Sequence, residues 1–243
     1  MKNERQEKII EILNEKEYAT VGYLADSLYA SLPTIRRDLS ELARRGLIQR
    51  SHGGAAIVND RRLAVPFDFR TGSGREIKIR MSRAAAKLVS DGDTVFIDGS
   101  TSCMHIGDFL RNRKNLTVVT NSAVLPAKLA DFGFDVHCTG GRLIESSLCF
   151  VGSRAIKYAG DFHFDIMFFS SSAVSETGIV TDYSQTETEL RRAVFSGTDK
   201  KILLCDSSKF NKSAAFFVTR SSGVDLMITD KNPDFECAHK LIV

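Results

Sequence analysis

Apolar residues recur at helical spacing through the first part of the chain and in short solid runs through the rest. Ile9, Ile12 and Leu13 fall on one side of a predicted helix over 4–15, which Asn3 can cap. Thr20 can cap a second helix over Val21 to Leu28, with Val21, Leu24 and Leu28 turned inward. Ser31 can cap a third, and Pro33 sits in its first turn, where a missing N–H costs nothing. Ile35, Leu39 and Leu42 form its inner face, and Gly46 ends it. "LIQRSHGGAAIV" then reads as two short strands around a His-Gly-Gly turn. Three helices and a hairpin make a winged helix-turn-helix over residues 1–58.

The pattern breaks at "NDRRLAVPFDFRTGSGRE", which has a Pro, two Gly and many charges, and 59–74 is expected to be a linker. Order resumes with a helix from Glu76 to about Val89. Beyond it, short apolar runs ("TVFID", "LTVVTN", "DVHCTGG", "DIMFFSSS", "KILLCD", "DLMITD") alternate with helical stretches over Cys103–Leu110, Ser122–Ala130, Ser153–Ala159 and Thr186–Phe195. That alternation predicts a mostly parallel sheet covered on both faces, so the fold class is α/β, with 75–243 as a second, larger domain.

Composition narrows the picture little. The chain has 243 residues, 43% hydrophobic and 26% charged, as ordinary globular proteins do. The net charge of +3 is too weak to name a partner, but it is uneven. From Ser31 to Ala56 there are Arg36, Arg37, Arg44, Arg45 and Arg50 against Asp38 and Glu41, a local surplus that suits phosphate-backbone binding. Cys103, Cys138, Cys149, Cys205 and Cys237 show no C-x-x-C spacing, which fits free thiols in a reducing compartment. No metal-ligand spacing is present, and neither a metal nor a cofactor is expected. "MKNERQEKII" is charged at once, and no apolar run reaches the ~20 residues that span a bilayer. The expected location is the cytoplasm.

On the third helix the inward positions leave Thr34, Arg36, Arg37, Ser40 and Glu41 outside or at the edge. A recognition helix reads bases from its N-terminal half, and Arg suits both guanine and phosphate. Ser31, Thr34, Arg36 and Arg37, with Arg50 and His52 on the wing, are therefore the candidate DNA-binding residues. Which of Arg36 and Arg37 meets a base is left open. Gly53 and Gly54 allow the wing turn to close tightly.

"TIRRDLSELARRGLIQRSHGGA" resembles the signature of the DeoR family of bacterial transcriptional repressors, with a T-I-R-R-D-L helix and an R-x-H-G-G-A wing. The resemblance runs on through Pro66 and Arg70 and covers nearly the whole chain. It implies a sensor domain like the fold of ribose-5-phosphate isomerase and glucosamine-6-phosphate deaminase, binding a phosphorylated sugar or related metabolite and so releasing DNA.

The matching anion loop is "DGSTS": Asp98, Gly99, Ser100, Thr101 and Ser102 follow a strand and precede a predicted helix. Backbone N–H groups and hydroxyls there suit a phosphate, although a plain turn with Ser102 as helix cap fits the same residues. "TNS", "TGG" and "CDSSKF" also follow strands, and ligands in open α/β sheets bind at strand carboxyl ends. Asn121, Gly140, Gly141 and Lys209 therefore complete the expected effector site. Lys209 would supply the cation, and Asp98 and Asn121 would hold hydroxyls or brace the loop. Two departures from the family pattern stand out. The loop often reads D-S-G-T-T there, and Ser170–Ala173 replaces a glycine-rich segment.

The expected activity is DNA-binding repression of a carbohydrate-use operon, by an oligomer of at least two chains. A sugar-phosphate isomerase with an accessory head is the alternative, but Asp98 and Glu176 form no evident acid–base pair, and Glu187 and Glu189 read as surface charges. An architectural DNA-binding protein with a degenerate sensor is the third reading.

Overall fold

Residues 2–16, 18–45, 47–50, 53–57, 67–237 and 239–243 are described by the structure, a computed structural model. The chain divides into two compact units, Met1–Gly74 and Arg75–Val243.

The first unit begins with helix α1 (Lys2–Lys16), which starts before the expected cap at Asn3. Strand β1 (Tyr18–Thr20) follows, then α2 (Val21–Ser27), α3 (Leu32–Arg44), β2 (Ile48–Arg50) and β3 (Gly54–Ile57). Thr20 and Ser31 cap α2 and α3 through their side chains, accepting from the Tyr23 and Thr34 N–H groups. Ile9, Leu13, Leu24, Ile35, Leu39 and Leu42 are fully buried between the helices. The hairpin gains a third strand that the pattern did not show, because β1 pairs with β3 on the side away from β2. Gly54 makes this possible: a Cβ there would collide with the Ala19 carbonyl and the Tyr18 ring. Gly46, Ser51 and His52 lie outside the described residues, as does 58–66. Within the expected linker, a short helix α4 spans Phe67–Gly72.

The second unit opens with α5 (Arg75–Ala86), β4 (Thr94–Ile97), β5 (Thr117–Thr120), α6 (Leu125–Leu129) and β6 (Asp135–Cys138). A hairpin of β7 (Arg142–Ile144) and β8 (Cys149–Val151) precedes α7 (Ser153–Gly160), β9 (Phe164–Phe169), β10 (Ala173–Val174), β11 (Ile179–Asp182) and α8 (Gln185–Phe195). The chain ends in β12 (Thr198–Leu204), β13 (Phe216–Arg220), β14 (Leu226–Thr229) and β15 (Lys240–Ile242). Seven parallel strands form one sheet in the order β15-β14-β12-β9-β4-β5-β6. Alternate strand residues feed separate cores on its two faces: Val95, Ile97, Ile166 and Phe168 on one, Phe96, Met167 and Phe169 on the other. The order reverses direction between β4 and β9, the position where an open α/β sheet leaves a crevice at its carboxyl edge.

One predicted helix is absent. Residues 101–106 form tight turns, closed by the Cys103 and Met104 N–H groups on the Ser100 carbonyl, and only Gly107–Phe109 makes a 3-10 turn. The segment is mostly buried (Cys103, Ile106 and Leu110 are at 0% exposure), with Asp108 exposed. Gly107 packs directly on Leu129, where a Cβ would stand 2.5 Å from Cδ2. The loop after β4 therefore lacks a helix dipole to offer an anion.

Candidate DNA-reading face and effector site

In the first unit, α3 turns Arg36, Arg37 and Ser40 to solvent and leaves Thr34 half-buried. Ser31 and Thr34 hold each other, Oγ to Oγ1 at 2.8 Å, so both shape the helix start. Arg50 on β2 donates to the Ser40 hydroxyl, which donates in turn to the Arg36 carbonyl at 2.8 Å. The wing is thus tied to the exposed face of α3. Asp38, in the middle of the Arg-rich stretch, points the other way. It is fully buried and receives Arg5 Nε from α1 at 2.6 Å. The exposed face of α3 is left with arginine charge that its nearest acid does not neutralise.

In the second unit the carboxyl ends of β4, β9 and β12 meet. Lys209 Nζ donates to Ser170 Oγ at 2.7 Å and to Ser102 Oγ at 3.2 Å. Lys78, buried on α5, donates to Thr101 Oγ1 at 3.1 Å. Two cations from separate elements therefore reach the same three-residue loop, Ser100–Ser102. Ser100 Oγ and Ser171 Oγ are buried and find no hydrogen-bond partner among the described residues. Asn121 Oδ1 accepts the Gly99 N–H at 2.8 Å and holds the loop from the β5 side. Gly99 is required there, since a Cβ would stand 2.6 Å from Cys149 Sγ. Burial pushes the Asp206 carboxyl up, but Lys209 and the Ser208 hydroxyl and N–H outweigh it and hold it below the usual range.

Behind this loop lies a buried charge cluster. Arg191 on α8 meets Asp98 through Nε at 3.3 Å and Nη2 at 3.2 Å. Its Nη1 reaches Asp182 at 2.9 Å and Nη2 reaches Glu187 at 3.4 Å. The small antiparallel sheet β10-β11-β13 brings Asp182 into place at the end of β11. Burial opposes the Arg191 charge, yet Asp98, Asp182 and Glu187 together hold its pKa well above the usual value. Burial raises the Glu187 carboxyl; Arg191 pulls it down, but Asp182 and Asp98 push it up again, and the net shift is upward.

Comparison with known families now bears on both units. Residues 5–61 match the model of the DeoR-like helix-turn-helix domain, and residues 74–231 match that of the DeoR C terminal sensor domain. The chain belongs to the DeoR family. It is a DNA-binding transcriptional regulator whose second unit senses a small molecule. Curated relatives match over nearly their whole length. The HTH-type transcriptional regulator GolR of Listeria innocua is 31% identical over 93% of this chain and 90% of its own. The glycerol-3-phosphate regulon repressor of Escherichia coli is 30% identical over 95% and 91%. The transcriptional repressor AccR of Agrobacterium fabrum is 29% identical over 93% and 89%. Among solved structures, ribose 5-phosphate isomerase A of Methanocaldococcus jannaschii aligns at TM-score 0.42 and 19% identity, over 57% of this chain and 55% of its own, too slight a likeness to add to the topology. No helix among the described residues is long and apolar enough to cross a membrane.

Against the expected DeoR effector site, the structure gathers Asp98, Gly99, Ser100, Thr101, Ser102, Asn121 and Lys209. Gly140 and Gly141 follow β6, two strands from β4 in the sheet order, and Gly141 packs on Val151 and Ala155. Both have positive φ, at 61° and 110°, which explains the paired glycines as a turn requirement. Glu187, read as a surface charge, is buried, while Glu189 is exposed as expected. Glu176 stands exposed in the turn between β10 and β11, and both Asp98 oxygens are taken by Arg191, so neither offers a free base at the loop.

Sequence reasoning missed Lys78, Arg191, Asp182 and the inward role of Asp38. A signal for three of them exists. Lys78 sits with Met81, Ser82 and Ala85, Arg191 with Glu187, Leu190 and Val194, and Asp38 with Ile35, Leu39 and Leu42. Each is a buried stripe at i, i+3, i+4, i+7, so each charged residue occupies a position that helical period assigns to the core.

Proposed function

We propose that this regulator represses a carbohydrate-use operon and that a phosphorylated sugar or related metabolite, bound over Ser100–Thr101–Ser102, releases it from DNA. The observation that carries this reading is the convergence of Lys78 and Lys209 on the hydroxyls of one loop at the sheet's reversal point. The two ammonium groups would neutralise the phosphate, and Ser100 and Ser171, whose buried hydroxyls find no partner among the described residues, would donate to its oxygens. The carboxylates of Asp98, Asp182 and Glu187 are engaged by Arg191 behind the loop, so the ligand end of the site is the one that carries Lys78 and Lys209. That charge suits a ligand with a phosphate group. A related repressor in Escherichia coli carries glycerol-3-phosphate in its name, which agrees with this ligand class.

On the DNA side, Arg36 and Arg37 read and clamp the operator while Arg50 steadies the wing beside them. Two copies engage two half-sites, as helix-turn-helix proteins do. Release follows if the effector prefers a sensor state whose paired heads no longer fit those half-sites. The test is the melting temperature of the full chain against sugar phosphates and their unphosphorylated counterparts. A ligand that binds only the folded state at a hundred times its Kd stabilises by about 2.7 kcal/mol. The expected result is a shift with phosphorylated compounds alone; equal shifts with the unphosphorylated partners would reject the phosphate assignment.

A further inference from the structure

Helix α2 ends in an unusual way. The Ala30 N–H bonds the Ala25 carbonyl at 3.0 Å and the Tyr29 N–H bonds the Asp26 carbonyl at 3.4 Å. This pair of bonds is the Schellman arrangement, in which the residue just past the helix cap takes left-handed φ and is usually glycine. Here that residue is Tyr29, with φ of 49°. A tyrosine has no intrinsic preference for this conformation and resists it sterically. Its side chain gains no packing in return, since Tyr29 is 99% exposed. A strained backbone under a large, bare aromatic residue is a reason to look for a binding role.

The location supplies one. Tyr29 lies in the turn of the helix-turn-helix, two residues before Ser31 caps α3. In that motif the first helix crosses the DNA backbone and the second enters the major groove, so the turn between them stands at the groove wall. The exposed surface around it continues through Leu32, Pro33, Arg36 and Arg37. We propose that Tyr29 is a DNA-contacting residue whose phenol hydroxyl donates a hydrogen bond to a backbone phosphate beside the groove that α3 enters. Tyrosine is among the side chains that make such positioning contacts, and a neutral donor there adds affinity without adding sequence preference.

The experiment uses the full chain and a DNA duplex selected by the wild-type protein from a random-sequence pool. Tyr29→Phe keeps the ring and the backbone and removes only the donor. It should weaken binding about five- to tenfold, by the same factor on the selected duplex and on an unselected one. Tyr29→Gly should weaken binding at least as much while leaving the melting temperature unchanged or raised, because glycine suits the turn. Since no charge is lost, the salt dependence should stay as in wild type. Wild-type affinity in Tyr29→Phe would overturn the hydroxyl–phosphate bond. A Tyr29→Phe protein that selects a different sequence would also overturn it, since the contact would then be to a base. If Tyr29→Gly lowers the melting temperature, the phenylalanine variant decides alone.

Discussion

Helices α3 and α8 both bury charge in a stripe that should be apolar, and they do so in opposite ways. On α3 one carboxylate meets one guanidinium, Asp38 against Arg5, and the arginines of the helix stay in solvent. On α8 one guanidinium meets three carboxylates, Arg191 against Asp98, Asp182 and Glu187. The first arrangement pairs one charge with one and removes an acid from the exposed arginine face of the helix. The second is oversupplied with negative charge, and it fixes the strand end from which the candidate effector loop departs. A buried pair gains little over apolar packing, but removing one partner leaves an uncompensated charge. The two clusters should therefore respond to mutation differently in size and in what they disturb.

Arg191→Met should have the largest effect. It strands three buried carboxylates, and urea unfolding should show the second unit destabilised by about 3–5 kcal/mol. A loss below about 1 kcal/mol would mean that the cluster is not what holds Asp98. Arg5→Ala should cost the first unit less, about 2–3 kcal/mol, because Arg5 keeps partial access to water and its loss opens a route for water to reach Asp38. Arg37→Ala, on the exposed face of the same helix, should leave stability within about 0.5 kcal/mol. It should weaken operator binding by about 1–3 kcal/mol, measured by fluorescence anisotropy across a salt series.

Glu187→Gln gives the smallest and most specific effect. Because the native carboxyl has a raised pKa, the folded state holds that proton more tightly than the unfolded one. Its contribution to stability is full below the ordinary carboxylate range and is lost as pH rises through the raised native value. The glutamine variant should lack this slope, so the difference between variant and wild-type stability should grow as pH rises through that window. A difference independent of pH would show that the Glu187 carboxyl holds its proton no more tightly in the folded state than in the unfolded one.

Much of this was legible in the residues themselves. The caps at Thr20 and Ser31 and the inner face of Ile35, Leu39 and Leu42 follow from local pattern, and so do six of the seven strands of the parallel sheet, all but the edge strand β15. The outward direction of Arg36 and Arg37 is also local, set by the phase of the same inner face. The loop at Asp98–Ser102 was legible as a position but not as an environment, because its partners come from α5, β9, α8 and the turn after β12. Such meetings depend on strand order, which no single segment encodes. The stretch Cys103–Leu110 reads as a helix because its polar and apolar residues imitate a capped one, whereas its backbone closes on the Ser100 carbonyl in tight turns and makes only a 3-10 turn over Gly107–Phe109. Arg191 and Lys78 were hidden by a habit of reading charged residues as surface, although their helical phase put them in the core.

The central claim is that the lysines at the Ser100–Ser102 loop couple effector to DNA. It is tested most directly by titrating the phosphorylated sugar that raises the melting temperature most into the complex of the full chain with its selected duplex, for wild type and Lys209→Ala. The account predicts that the variant binds the duplex as tightly as wild type and needs at least tenfold more effector to release it, since a charge-assisted contact to phosphate is lost. Release of the variant at the wild-type effector concentration would contradict it.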